Sequence, residues 1–120
     1  NEIFSEGKFN FLGVDFSKAK YATNLEDIES TFNEACRKIE KIHIEESKQD
    51  YIVERLSLYR EFALSVFHKK KYDENMATYE YKKAEKEMLL LKHKVTNSML
   101  LEGVDRFIVE VRERMGNSDS

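Results

Sequence analysis

Three histidines and one cysteine are the side chains in this sequence best suited to chemistry, and their spacing decides what they can do. Glu40 and His43 form an E-x-x-H pair one turn apart, the half-site that two helices each contribute to a carboxylate-bridged di-iron bundle. The second half is missing, because Ser65 stands three residues before His68 and Leu90 three before His93. His43, Glu46 and Asp50 are offset by three and four, a spacing that places them on one helix face where a divalent ion would relieve carboxylate repulsion. Lys48 and Arg55 already screen that repulsion, so a solvated acidic patch explains it without a metal. No metal or other cofactor is expected.

Cys36 has no histidine within a helical turn to serve as its base, and a thiol nucleophile needs one. Beside Ala35, at the edge of an apolar seam, it reads as a small buried residue. A single cysteine cannot form an internal disulfide, so a disulfide-stapled secreted domain is excluded and a cytoplasmic or otherwise intracellular setting is expected. Gly7, Gly13, Gly103 and Gly116 are scattered, whereas a phosphate cradle needs its glycines clustered. With no catalytic constellation and no sign of a small-molecule substrate, the chain is read as a non-enzyme.

The elements that would position any site follow from composition. Charged residues make up 36% of the 120 residues and hydrophobic ones 41%, with no proline; such a chain is too apolar for a disordered tail and too poor in breakers for a loop-rich fold. The expected fold is all-α, an antiparallel helical bundle or bent helical hairpin of about four segments. Residues 1–24 are read as a short extended apolar arm, 25–115 as the helical domain, and 116–120 as a frayed tail. Phe9 and Phe11 alternate with Lys8 and Asn10 in the two-residue period of a strand, but no second convincing strand is present.

Helical spacing begins after Thr23 and Asn24, either of which can cap, with Glu26 and Asp27 in the first turn. Leu25, Ile28, Phe32, Ala35, Ile39 and Ile42 form the first seam. Ile52, Leu56, Tyr59, Ala63 and Val66 form the second, out of step with the first, which favours a break near 47–50 with Asp50 as a cap over one long bent helix. Ala77, Tyr81, Ala84, Met88, Leu91 and Val95 make the third seam. Leu101, Val104, Ile108, Val111 and Met115 make the fourth, out of phase across Thr96–Gly103. The segments so delimited are approximately 25–46, 50–70, 74–97 and 100–115.

The stretch FHKKKYDEN at 67–75 fits a bend between the second and third segments. Lys69, Lys70 and Lys71 suit a helix carboxyl end, and Asp73, Glu74 and Asn75 suit an amino end. The net charge of −3 disfavours wholesale nucleic-acid wrapping, but a local lysine face of Lys69, Lys70, Lys71, Lys82 and Lys86 offers a secondary reading, contact with an anionic membrane or nucleic acid. The primary reading is a helical protein–protein interaction or self-association module, a coiled-coil-like homodimer or scaffold. Phe9, Phe11, Phe16, Leu58, Phe62, Leu89, Leu90 and Phe107 extend the apolar faces beyond a single seam and are the candidate contacts with a second subunit or another protein.

Overall fold

The structure, a computed structural model, describes residues 10–11, 14–15, 19, 22–41 and 45–118, with side chains described for 19, 22–41 and 45–116. The chain is all-α, with helices α1 (Leu25–Lys41), α2 (Glu46–Ala77), α3 (Tyr81–Lys92) and α4 (Ser98–Ser118). It divides into two compact units, residues 1–63 and 64–120, so that α2 contributes its first part to one and its last part to the other.

In the first unit the strand-like Asn10–Phe11 (β1) has a partner in the same chain. It pairs antiparallel with Val14–Asp15 (β2), Asn10 opposite Asp15 and Phe11 opposite Val14. Two residues are too short a strand to register as alternation, which is why the sequence offered none. Asn24 is the cap of α1: its Oδ1 accepts the Asp27 N–H at 2.9 Å, satisfying one of the amides that a helix start leaves unpaired. Ile28, Phe32, Ala35 and Ile39 are buried along one side of α1, and Leu56, Tyr59 and Ala63 along α2. Arg60 of α2 reaches Glu29 of α1 through both Nε and Nη2. Residues 47–50 hold no break, since α2 already begins at Glu46 rather than at an Asp50 cap.

The second unit holds the main correction to the sequence reading. No bend occurs at 71–75; α2 runs unbroken through Lys69–Lys71 and Asp73–Asn75 to Ala77. Lys69 and Asp73 are an intrahelical pair, Nζ to Oδ2 at 2.6 Å, of the four-residue spacing that stabilises a helix face. The same charges that resemble two helix ends therefore belong to the last turns of one helix. The reversal comes at 78–80. Glu80 N–H donates to the Asn75 carbonyl at 2.8 Å and Tyr79 N–H to the Met76 carbonyl at 3.2 Å, the paired 6→1 and 5→2 bonds of a Schellman ending. Tyr79 occupies the left-handed position that this motif needs, at φ 61°, a place that glycine usually fills.

From that turn α3 returns along α2, and α3 and α4 then run in opposite directions. Lys92 pairs with Asp105 at 2.8 Å and Glu85 with Arg112 at 2.7 Å, so advancing seven residues on one helix retreats seven on the other. These pairs are partly exposed and contribute at most about 1 kcal/mol each. Cohesion comes instead from Met88, Leu91, Val104, Ile108 and Val111, all buried, at about 1.5–3 kcal/mol for a fully buried apolar side chain. Asn97 starts α4, its Oδ1 accepting the Met99 and Leu100 amides at 3.0 and 3.2 Å. The third segment thus ends at Lys92 rather than 97, the connection is 93–97, and α4 continues past Gly116 to Ser118.

Tyr79→Gly is expected to stabilise the protein by up to about 1 kcal/mol in denaturant unfolding, because the left-handed conformation costs a residue with a Cβ ~1–2 kcal/mol and glycine's extra backbone entropy takes back ~0.5–1 kcal/mol. Tyr79→Val, β-branched at the same φ, is expected to lower the unfolding midpoint.

Candidate functional site

Three helices of the second unit leave an apolar groove of about 300 Å3. Its walls include Val66 and Lys69 of α2, Met88 and Leu91 of α3, and Met99, Gly103 and Phe107 of α4. Lys69 is the charged member, and its ammonium is already engaged by Asp73 and by the Phe107 ring, 5.2 Å from the centroid. Met99 stands at the rim with 77% of its surface exposed. At Gly103, one turn further along α4, no described group outside the helix's own neighbouring backbone comes within 4 Å of the position that a Cβ would take. The groove therefore carries a projecting side chain and an open gap at adjacent positions on one helix.

A second, polar depression of about 520 Å3 lies between α2 and α3, lined by Lys71, Glu74 and Asn75 on one side and Lys83, Lys86, Glu87 and Leu90 on the other. Its charges are mixed. Lys83 bonds Glu80 at 2.7 Å, and Lys71 lies over the Phe67 ring at 4.9 Å.

Behind Glu87 is a buried polar arrangement. His68, on the buried side of α2, is only 1% exposed. Its Nδ1 is 2.6 Å from Glu87 Oε1 of α3, and its Nε2 is 3.5 Å from Lys94 Nζ in the α3–α4 connection. A carboxylate accepts and an ammonium donates, so Glu87 favours a proton on Nδ1 and Lys94 a lone pair on Nε2, which together select the Nδ1–H tautomer. Burial pushes the imidazole below its ordinary 6.5; the hydrogen bond and charge of Glu87 oppose this, while Lys94 and Lys71 add to it. Covered on all sides, the ring can hold or release a proton but cannot touch a substrate. Tyr72, one turn along α2, donates its hydroxyl to the Phe107 carbonyl at 3.3 Å. Burial, with Glu110 and Asp73, raises its pKa to about 12.

The residues singled out by sequence are dispersed. Lys69 lines the apolar groove and Lys71 and Lys86 the polar one, while Lys70 and Lys82 are exposed outside both. Of the apolar candidates, Phe62 and Leu90 are exposed and Leu58, Leu89 and Phe107 half-buried; Phe107 alone of these borders the apolar groove, and Leu90 the polar one. Phe11 is described in its backbone only, and Phe9, Phe16 and His43 lie outside the described residues, so of the Glu40–His43 and His43–Glu46–Asp50 sets only the exposed carboxylates are described. Cys36 is exposed rather than buried, because the narrow seam of α1 turns at Ala35 and leaves the next position outward. Among the described residues no three His, Cys, Asp or Glu side chains converge on a common point, and no helix is long and apolar enough to cross a membrane. Sequence reasoning gave His68 no role. The signal for His68 was its place four residues after Leu64 and four before Tyr72, in the buried stripe. No family model, curated protein or solved structure matches the chain.

Glu87→Ala leaves the buried Nδ1–H of His68 without an acceptor and is expected to destabilise the protein by about 1–3 kcal/mol at neutral pH. Glu87→Gln, whose amide oxygen still accepts, is expected to cost less; urea unfolding of the two variants side by side checks the order.

Proposed function

We propose that this chain is a non-enzymatic helical self-association module, and that its second unit pairs with a second copy through the face of α4 around Gly103. The observation that carries the reading is the placement of Met99 and Gly103. A projecting methionine and an open gap stand four residues apart, hence on one face of one helix. A twofold interface brings the same patch of each partner together, so residue i of one copy meets residue j of the other and the reverse. A face that presents its own knob beside its own hole meets that demand: Met99 of each copy enters the gap at Gly103 of the other. Methionine suits such a contact because its unbranched, polarisable side chain adapts to irregular apolar surfaces.

Gly103 adds a second argument. A glycine inside a helix costs about 0.5–1 kcal/mol relative to alanine, and nothing among the described residues occupies the space that a side chain would fill. Packing among the described residues gives no reason for that cost. Close approach of another backbone does. The neighbouring groove is apolar, which suits burial against protein better than contact with phosphate or lipid headgroups.

Sedimentation equilibrium at micromolar concentration is expected to give a dimer for the wild-type chain and a monomer for Met99→Asp and Gly103→Leu. Gly103→Ala is the sharper variant: unfolding stability should rise by about 0.5–1 kcal/mol while self-association weakens. A wild-type chain that remains monomeric up to high micromolar concentration overturns the reading.

A further inference from the structure

We infer that His68, held between Glu87 and Lys94, is an acid-sensitive latch on the α3–α4 connection, and that its protonation releases that connection and loosens the α4 wall of the groove. The consequence for the groove rests on the self-association reading; the latch does not.

The geometry makes the ring a bridge between opposite charges. On one side Nδ1–H donates to the Glu87 carboxylate of α3 at 2.6 Å, and on the other the Nε2 lone pair faces the Lys94 ammonium at 3.5 Å. Proton uptake can occur only at Nε2, because Nδ1 already carries its hydrogen. Once Nε2 is protonated it has no lone pair to offer, and two cationic N–H groups face each other at a distance that held a hydrogen bond. Glu87 tolerates the imidazolium; Lys94 does not, and Lys71, one turn further on the same helix as His68, adds repulsion of the same sign. Phe67, packed edge-on to the imidazole with ring centroids 5.3 Å apart, offers no charge to offset it. Among the described residues, Glu87, Lys94 and Lys71 are the charged groups that face the imidazole, from α3, the connection and α2.

Lys94 is the member that can yield. It lies in the non-helical connection 93–97, while Glu87 is fixed in the middle of α3. Releasing Lys94 frees the segment that leads through Asn97 to Met99 and Leu100, both of which border the groove. Linkage gives the same direction. Because burial holds the folded-state pKa of His68 below the unfolded value near 6.5, the unfolded and the opened chain bind the proton more readily than the latched one. The latch is therefore fully set above about pH 6.5 and weakens as pH falls below it toward the folded-state pKa.

The test follows the full chain from about pH 8 to about pH 5, the range over which histidine charge changes. Ring nitrogen shifts report the titration of His68. Amide hydrogen exchange, corrected for its intrinsic pH dependence, reports opening of 93–100. The expected result is a His68 midpoint below 6.5, accompanied by roughly tenfold faster exchange confined to 93–100 and sharing that midpoint. Lys94→Met removes the opposing ammonium, so in that variant the His68 midpoint should rise and the pH step in exchange should vanish. Titration of His68 at or above 6.5, or a 93–100 segment indifferent to its protonation, overturns the latch. Sedimentation of the same samples separates the two readings. A dimer that weakens with the His68 midpoint supports both, a monomer at every pH with an intact exchange step removes only the dimer, and a dimer whose strength ignores that midpoint removes the coupling to the groove.

Discussion

A buried imidazole must satisfy both of its ring nitrogens, and in this chain that requirement joins three successive pieces of backbone. His68 sits on α2, Glu87 on α3 and Lys94 in the connection that follows. Leaving either nitrogen without a partner in an apolar interior costs more than the hydrogen bond itself contributes. The apolar contacts of Met88, Leu91, Val104, Ile108 and Val111 supply most of the cohesion, but apolar contacts are tolerant of sliding. A polar bridge with fixed donor and acceptor directions is not. It holds α3 at one register against α2 and sets where the connection to α4 leaves, and the groove beside Met99 and Gly103 inherits its shape from that register.

The local endings of the helices carry the same constraint outward. The Schellman bonds at Asn75, Met76, Tyr79 and Glu80 stop α2 after Ala77, and the length so fixed allows Glu87 to come level with His68. Asn97 then caps α4, and the ion pairs of Lys92 with Asp105 and of Glu85 with Arg112 agree with one antiparallel pairing. Each device is worth little alone. Together they leave one arrangement in which the apolar stripes and the buried polar group are both accommodated.

Much of this was legible in the sequence, and the parts that were not share a cause. The seam of Ile28, Phe32, Ala35 and Ile39 and the cap at Asn24 depend on residues three or four apart, and both are where their spacing places them. The turn was not legible, because Lys69–Asp73 inside a helix and a lysine cluster before an acidic helix start look alike on paper, and because Tyr79 stands where a glycine would have announced the ending. The end of α3 was hidden by Val95, which is buried in the connection and so continues the helical spacing past the helix. Val66, assigned to the second seam, is exposed, since the stripe on α2 shifts to Leu64, Phe67 and His68. The His68–Glu87 contact spans nineteen residues across a turn, and no periodicity along one chain reveals such a pair.

The tautomer of His68 tests this account most directly. Long-range proton–nitrogen correlation at neutral pH distinguishes a ring protonated on Nδ1 from one protonated on Nε2. A carboxylate at one nitrogen and an ammonium at the other require the neutral Nδ1–H form. A ring found as Nε2–H, or one averaging between tautomers as a solvent-exposed histidine does, would contradict the bridge and with it the register assigned to the three helices.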